Sequence, residues 1–261
     1  EVPTHSIKQI ERNANTRIMT VNGTRSNSVM LNNTRPPFNN IKVRKAFSHA
    51  INVNLIIEKI LNGNATRINS ILSPDAFGHN PNLYEYEYNP AKAKELLAEA
   101  GYPNGITVTF DATSNLKDIA EAISANLSEA GITAKVKIWE KSVIGPIWKN
   151  PVKTRDMYLN NWGNGSLDPV GIMTPIMRTG ARGNYSGYSN LKVDELIDKA
   201  MVEIDQKKRA SYYQQVESIL NEEVPMVFLW LPKEIFGVSA RLGGWEPKAD
   251  NQINLHDAYI K

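Results

Sequence analysis

Side chains able to do chemistry are few in this chain and do not cluster. The four histidines, His5, His49, His79 and His256, are scattered. None stands three or four residues from another, the spacing that sets two imidazoles on one helix face for a metal. His49 falls in a stretch of helical period and reads as a packing or surface residue. The acid pairs Asp194/Glu195 and Glu222/Glu223 are adjacent in sequence. Neighbours on a helix point to different sides, so these pairs read as solvated positions. No Gly-x-Ser-x-Gly elbow and no His-Glu-x-x-His motif is present. Cysteine is absent, which removes disulfides, thiolate zinc sites and a Cys nucleophile, and makes an oxidising compartment harmless. Neither a cofactor nor a metal is expected.

One stretch reads as a site for binding instead: Asp156-Met-Tyr-Leu-Asn-Asn-Trp162-Gly-Asn-Gly-Ser-Leu-Asp168-Pro169. It begins with the alternation of a half-buried strand and breaks into Trp162-Gly163-Asn164-Gly165, where backbone turns come easily. A large aromatic at the mouth of a strand, followed by a polar loop, is a common wall of a ligand cleft. The plainer alternative is a Trp that caps the core and a loop that only turns the chain. Trp139 ends a second strand-like run in the same way and divides between the same two readings. Asp168, beside Pro169, suits a turn as well as a ligand contact. Arg178 and Arg182 lie in a Gly-rich stretch without hydrophobic period, read as a surface loop; they divide between solvated surface arginines, the default, and contacts to an anionic ligand group.

The elements that would hold these residues form an α/β pattern. Ile106–Phe110 alternates as a strand, Leu116–Ala130 is an amphipathic helix closed by Gly131, and Ala134–Trp139 is the return strand. Such a unit joins parallel strands by a helical crossover. A helix over about Ser142–Lys149 then leads into the strand at Asp156–Asn161. Trp139 and Trp162 thus fall at the carboxyl ends of parallel strands, where open α/β sheets bind ligands. Earlier, Asn39 or Asn40 caps a helix carrying Val43, Phe47 and Ala50, and a second helix spans about Asn54–Leu61. Asn89-Pro90 opens a third, the cap followed by Pro at the first helical position. Later helices span about Lys192–Ile204 and Gln206–Asn221, and Pro225–Leu231 is a continuous apolar run suited to a buried strand. The first 35 residues and the tail from Gly237 lack local partners, so the two ends are expected to lie together, outside the main lobe.

Hydrophobic residues make up 41% of the 261, charged residues 22%, and the net charge is +3. This suits a core-forming globular chain, and with no basic block nucleic acid is not an expected partner. No apolar run reaches about 18 residues, the length of a membrane span. The opening Glu1-Val-Pro-Thr-His shows no signal peptide, so the chain reads as cytoplasmic, as a mature form, or as a piece of something longer.

Several segments in fixed order resemble one family, the periplasmic solute-binding proteins of ABC importers that carry peptides, nickel complexes and opines. They are Pro37-Phe-Asn-Asn-Ile-Lys-Val-Arg44-Lys-Ala46 with His49-Ala-Ile51, and Tyr88-Asn-Pro-Ala-Lys-Ala-Lys-Glu-Leu-Leu97-Ala-Glu-Ala-Gly101-Tyr-Pro. The Trp162…Asp168-Pro169 loop, Tyr188-Ser-Asn190…Asp194, Glu203-Ile-Asp205…Arg209…Tyr212 and Pro225-Met-Val follow. The resemblance implies the C-terminal half of a protein about twice this long. Residues 26–233 would be the C-terminal ligand-binding lobe of a two-lobed clamshell. Segments 1–25 and 234–261 would complete a first lobe whose N-terminal half is missing here, with hinge crossings near Thr24–Val29 and Leu231–Ile235. It further implies a small-molecule or peptide ligand, an ABC permease as partner, a periplasmic location in a Gram-negative cell, and no catalysis. Trp162, Gly163 and Asn164 match the cleft-lining loop. In peptide-binding relatives an acid three positions after the loop Trp pairs with the ligand's α-ammonium group. Here that position is Gly165, so free-amine peptides would need another anchor, Asp168 first. The alternatives are a hydrolase using Asp168 with a neighbouring carboxylate, and a sensor lobe docking on a chemoreceptor.

Overall fold

The fold is taken from a computed structural model that describes residue 2, residues 6–148 and residues 155–261. At its centre is a mixed sheet of order β1-β7-β2-β6-β4-β5, with a short β3 also on β7. The strands are β1 Thr16–Asn22, β2 Arg25–Leu31, β3 Ala65–Arg67, β4 Ile106–Thr113, β5 Ile132–Trp139, β6 Met157–Gly163 and β7 Met226–Ser239. A small ribbon of β8 Leu242–Gly243 and β9 Tyr259–Ile260 closes the tail. The helices are α1 Ile7–Glu11, α2 Ile41–Ala50, α3 Val53–Lys59, α4 Pro90–Glu99, α5 Lys117–Glu129, α6 Lys141–Trp148, α7 Val170–Met177, α8 Leu191–Val202 and α9 Gln206–Glu223.

Successive side chains on a strand face opposite ways, and the core strands are apolar on both sides. Val29, Leu31, Phe110, Ala112, Met157 and Leu159 meet α2, α4 and α5 on one face. Met30 and Tyr158 turn to the other face, against α6, α7, α8 and α9. The result is a three-layer α/β/α stack with a core on each side of the sheet.

Local chemistry starts and stops these helices largely where the sequence signals it. Asn40, Asn89, Asn190 and Asp205 each accept backbone N–H bonds at the first turns of α2, α4, α8 and α9. The helix expected over 54–61 is shorter, Val53–Lys59, and the chain leaves it through Gly63, whose N–H reaches back to Ile57 O at 2.8 Å. The segment 178–188, expected as a surface loop, is exposed over most of 178–182 and turns inward over 183–188. Ser186 is fully buried, and Asn184 holds the turn by donating to Arg178 O at 3.0 Å and Tyr188 O at 2.7 Å. Helix α7, which packs beneath that turn, has no counterpart in the sequence reading. Its residues Val-Gly-Ile-Met-Thr-Pro-Ile-Met are apolar all round, so no period betrays it.

The crossover units order the sheet's working edge. β4 pairs in parallel with β5 and with β6, so Thr113, Trp139 and Gly163 end on the same side. The two ends of the chain also meet. β1 pairs with Lys233–Ser239 of β7, whereas Met226–Pro232 of the same strand pairs with β2 and β3. The changeover falls at Gly23, whose N–H donates to Pro232 O at 2.8 Å.

Candidate functional site

Register fixes where the two tryptophans stand. Trp139 lies beside Thr113, and Asp111 beside Tyr158, so continuing the ladder sets Asn160 next to Thr113. Alternate residues share a face, so Trp139, Asn160 and Trp162 all project to one side of the sheet, where both indoles pack on the same cluster. β5 and β6 flank β4, which separates the two by roughly 10 Å of strand spacing.

Trp162 is half-buried near the end of β6, opposite Ser26 of β2. Its ring lies against Gly183 of the buried turn: a Cβ there would stand 2.8 Å from Trp162 Cη2 and 2.9 Å from Pro175 O. The Gly183 N–H donates to that same carbonyl at 2.9 Å. Only a glycine lets this loop approach so closely, and the loop in turn fixes the ring. Among the described residues nothing accepts a hydrogen bond from the Trp162 indole N–H. Arg182, next to Gly183, likewise has no ion-pair partner among the described residues. Arg178 is bound to Asp198 at 2.8 Å.

Past the tryptophan, the loop divides into a tied part and an open part. Gly163 pairs with Arg25. Asn164 is buried: its N–H donates to Thr24 O at 2.9 Å, and its O accepts from Leu167 N at 3.0 Å. Its side chain turns inward to Ser166 Oγ and the Cα of Gly171. The backbone N–H and C=O of Asn164 and its side-chain oxygen are therefore engaged within the protein. Gly165 is exposed, and a Cβ there would meet nothing within 4 Å.

Asp168 is not a free carboxylate. Its Oδ1 accepts from Arg209 Nη2 at 2.7 Å and from Val170 N at 3.0 Å. Partial burial pushes its pKa up, but the Arg209 and Val170 hydrogen bonds and the Arg209 charge outweigh that and hold it below the usual aspartate range. Arg209 also donates through Nε to Ala200 O at 3.2 Å and lies over the rings of Phe77 and Tyr213. This guanidinium clips the loop to α8 and α9, a role the sequence reading missed because Arg209 lies 41 residues away. Glu223, read as solvated, accepts from the Tyr188 hydroxyl at 2.6 Å and Asn190 Nδ2 at 3.0 Å.

Trp139 is held from below. Its indole N–H donates to Asp111 Oδ1 at 2.8 Å, and Lys137 Nζ lies 4.0 Å from its ring centroid. Asp111 lies just past the strand expected over Ile106–Phe110; the observed strand runs on to Thr113 and carries it into the core.

These features coincide with a known family. The model of the bacterial extracellular solute-binding proteins, family 5, middle region, matches residues 1–184, and the chain belongs to that family. Heme-binding protein A of Haemophilus influenzae is 29% identical over 78% of this chain and 38% of its own length. The solved structure of HbpA2 from Haemophilus parasuis superposes with a TM-score of 0.94 at 25% identity, over 100% of this chain and 53% of that one. The periplasmic binding protein DppA from Helicobacter pylori, solved with the peptide STSA, gives a TM-score of 0.83 at 28% identity, over 98% and 51%. The chain thus spans about half, or less, of the proteins it matches. Its α/β architecture is that of one lobe of a periplasmic binding protein.

Proposed function

We propose that this chain is the ligand-binding lobe of an extracytoplasmic solute-binding protein that serves an ABC importer, for oligopeptides or related small solutes. The observation that carries the reading is the edge built from Trp139, Trp162 and the exposed Gly165, at the carboxyl ends of the parallel strands. A second lobe would supply the facing wall, with residues 1–25 and 234–261 belonging to it. Support comes from the way β7 leaves β2 and β3 for β1 at Pro232–Lys233. Closure of the two lobes would be selected by ligand that binds the closed state better, and the permease would read that state. The location would be periplasmic.

The role is one of binding rather than turnover. A hydrolase would need Asp168 as acid, base or nucleophile, and its carboxylate is instead clamped by Arg209 and held ionised. The same clamp weakens Asp168 as a substitute anchor for a ligand ammonium group. Ligands with a blocked or absent α-amine are therefore favoured over free-amine peptides. The test is a thermal-shift panel on a protein of the relatives' full length that carries this sequence, with the 261-residue chain as control. The panel holds free and amine-blocked peptides, opines and nickel chelates. A ligand at about 100 times its Kd adds roughly 2.7 kcal/mol to stability, a shift of several degrees. Blocked or amine-free ligands should shift the protein; strong shifts by free-amine peptides alone would refute the selectivity, and no shift by any would refute the function.

A further inference from the structure

Asp111 is wholly buried on β4, between Lys137 of β5 and Tyr158 of β6. Three side chains from three places in the chain converge on its carboxylate. The Trp139 indole N–H, from the end of β5, reaches Oδ1 at 2.8 Å. The Trp148 indole N–H, from the end of α6, reaches Oδ2 at 3.0 Å. Arg155, just before β6, brings Nε to 3.4 Å from Oδ2. That Nε has no hydrogen-bond partner in acceptable geometry, so Arg155 supplies charge rather than a directed bond. The directed bonds of this carboxylate go to the two indoles.

The two indoles differ in what else holds them. Trp148 is fully buried and stacks on Tyr158, with centroids 5.1 Å apart and planes 23° apart. Packing alone would keep it in place. Trp139 is half-buried at the end of an edge strand, with Lys137 Nζ at 4.0 Å and Arg155 Cζ at 5.0 Å from its centroid. There the hydrogen bond to the buried carboxyl group is the directed contact that fixes the plane of the ring. A carboxyl group buried this deeply is costly without partners, and an apolar residue would fill the space at less cost. Its presence calls for a task beyond filling the core.

We propose that Asp111 is a positioning residue, which locks the Trp139 indole so that the sheet edge offers ligand a preset aromatic face. The ligand half of this inference rests on the function proposed above; the locking half does not. The first test therefore needs no ligand. Indole N–H resonances and their relaxation are recorded for the 261-residue chain, Asp111→Asn and Trp139→Phe. Asn keeps the shape of Asp but lacks the charge and the second acceptor. In Asp111→Asn the Trp139 and Trp148 signals should move and Trp139 should gain fast ring motion, while those of Trp230 and Trp245 stay. Trp139→Phe, a change at the exposed end, should leave Trp148 in place and guards against a variant that fails to fold. Unchanged Trp139 motion in Asp111→Asn overturns the proposal. The second test measures the Kd of Ser-Thr-Ser-Ala, free and N-acetylated. Asp111→Asn and Trp139→Phe should each weaken binding about tenfold, and the pair together no more than either alone. A fall in thermal stability with unaltered Kd overturns the ligand half. If the wild-type protein binds neither peptide and no member of the earlier panel, the proposed function fails, and the indole measurements still decide the locking.

Discussion

At Gly183 one hydrogen atom decides whether Trp162 can lie where it does. Gly183→Ala puts a methyl group against an indole edge and a backbone carbonyl, neither of which yields easily. A loss of about 1–3 kcal/mol is expected, with a change in Trp162 fluorescence, read by denaturant titration at that emission. Gly165 is the opposite case, because space is open there. Gly165→Asp should leave stability unchanged, and in a protein with both lobes should tighten free-amine tetrapeptides about tenfold without affecting N-acetylated ones, measured by calorimetry. Asp168 carries a pH signature. Its pKa is lower folded than unfolded, so the Arg209 contact contributes stability that is present above the ordinary aspartate range and lost as pH falls through the folded value. Asp168→Asn should cost about 1 kcal/mol at pH 7 and flatten the acid side of the stability profile below about pH 4. A slope equal to that of the wild-type protein would show that other carboxylates set it. Of the candidate site, the place of Trp162 near a strand end was legible in the sequence, whereas Gly165 stands out only against the acid that the resembled family carries there. Asp111, Gly183 and Arg209 were hidden, since each acts on a partner 21 to 41 residues away in sequence.

Among the elements, the helices with side-chain caps were the easiest to read. Asn190 illustrates how much a cap can carry: it accepts from Lys192 N at 2.9 Å and Val193 N at 3.3 Å, and donates to Glu223 Oε1 at 3.0 Å. Asn190→Ala removes all three, and should lower stability by about 1–2 kcal/mol, toward the upper end for a cap. Melting by circular dichroism checks this, and a loss under a few tenths of a kcal/mol would show that water replaces the cap. The strand–helix–strand unit at 106–139 was equally legible, because its periods switch cleanly between two residues and 3.6. α7 was not, for want of any polar face, and the inward part of the loop, 183–188, was not, because its polar residues bond one another rather than water. Composition reports polarity, and polarity does not distinguish a solvated loop from a self-satisfied one.

For the molecule as a whole, a single lobe offers one wall of a cleft, so the isolated chain should bind weakly any ligand that the two-lobed protein holds. Equal affinity in calorimetry would mean that the edge at Trp139 and Trp162 suffices alone. The sheet that builds this edge has a further consequence, which concerns time. β7 begins at Met226, yet it is the strand on which β1, β2 and β3, all from the first 67 residues, must pair. Until β7 has been made, β1 and β3 have no strand to join, and β2 has only β6. Contacts so distant in sequence form late and slowly. Strands that wait this long for a partner keep their edges open in the meantime, and an open edge is one that another chain can capture.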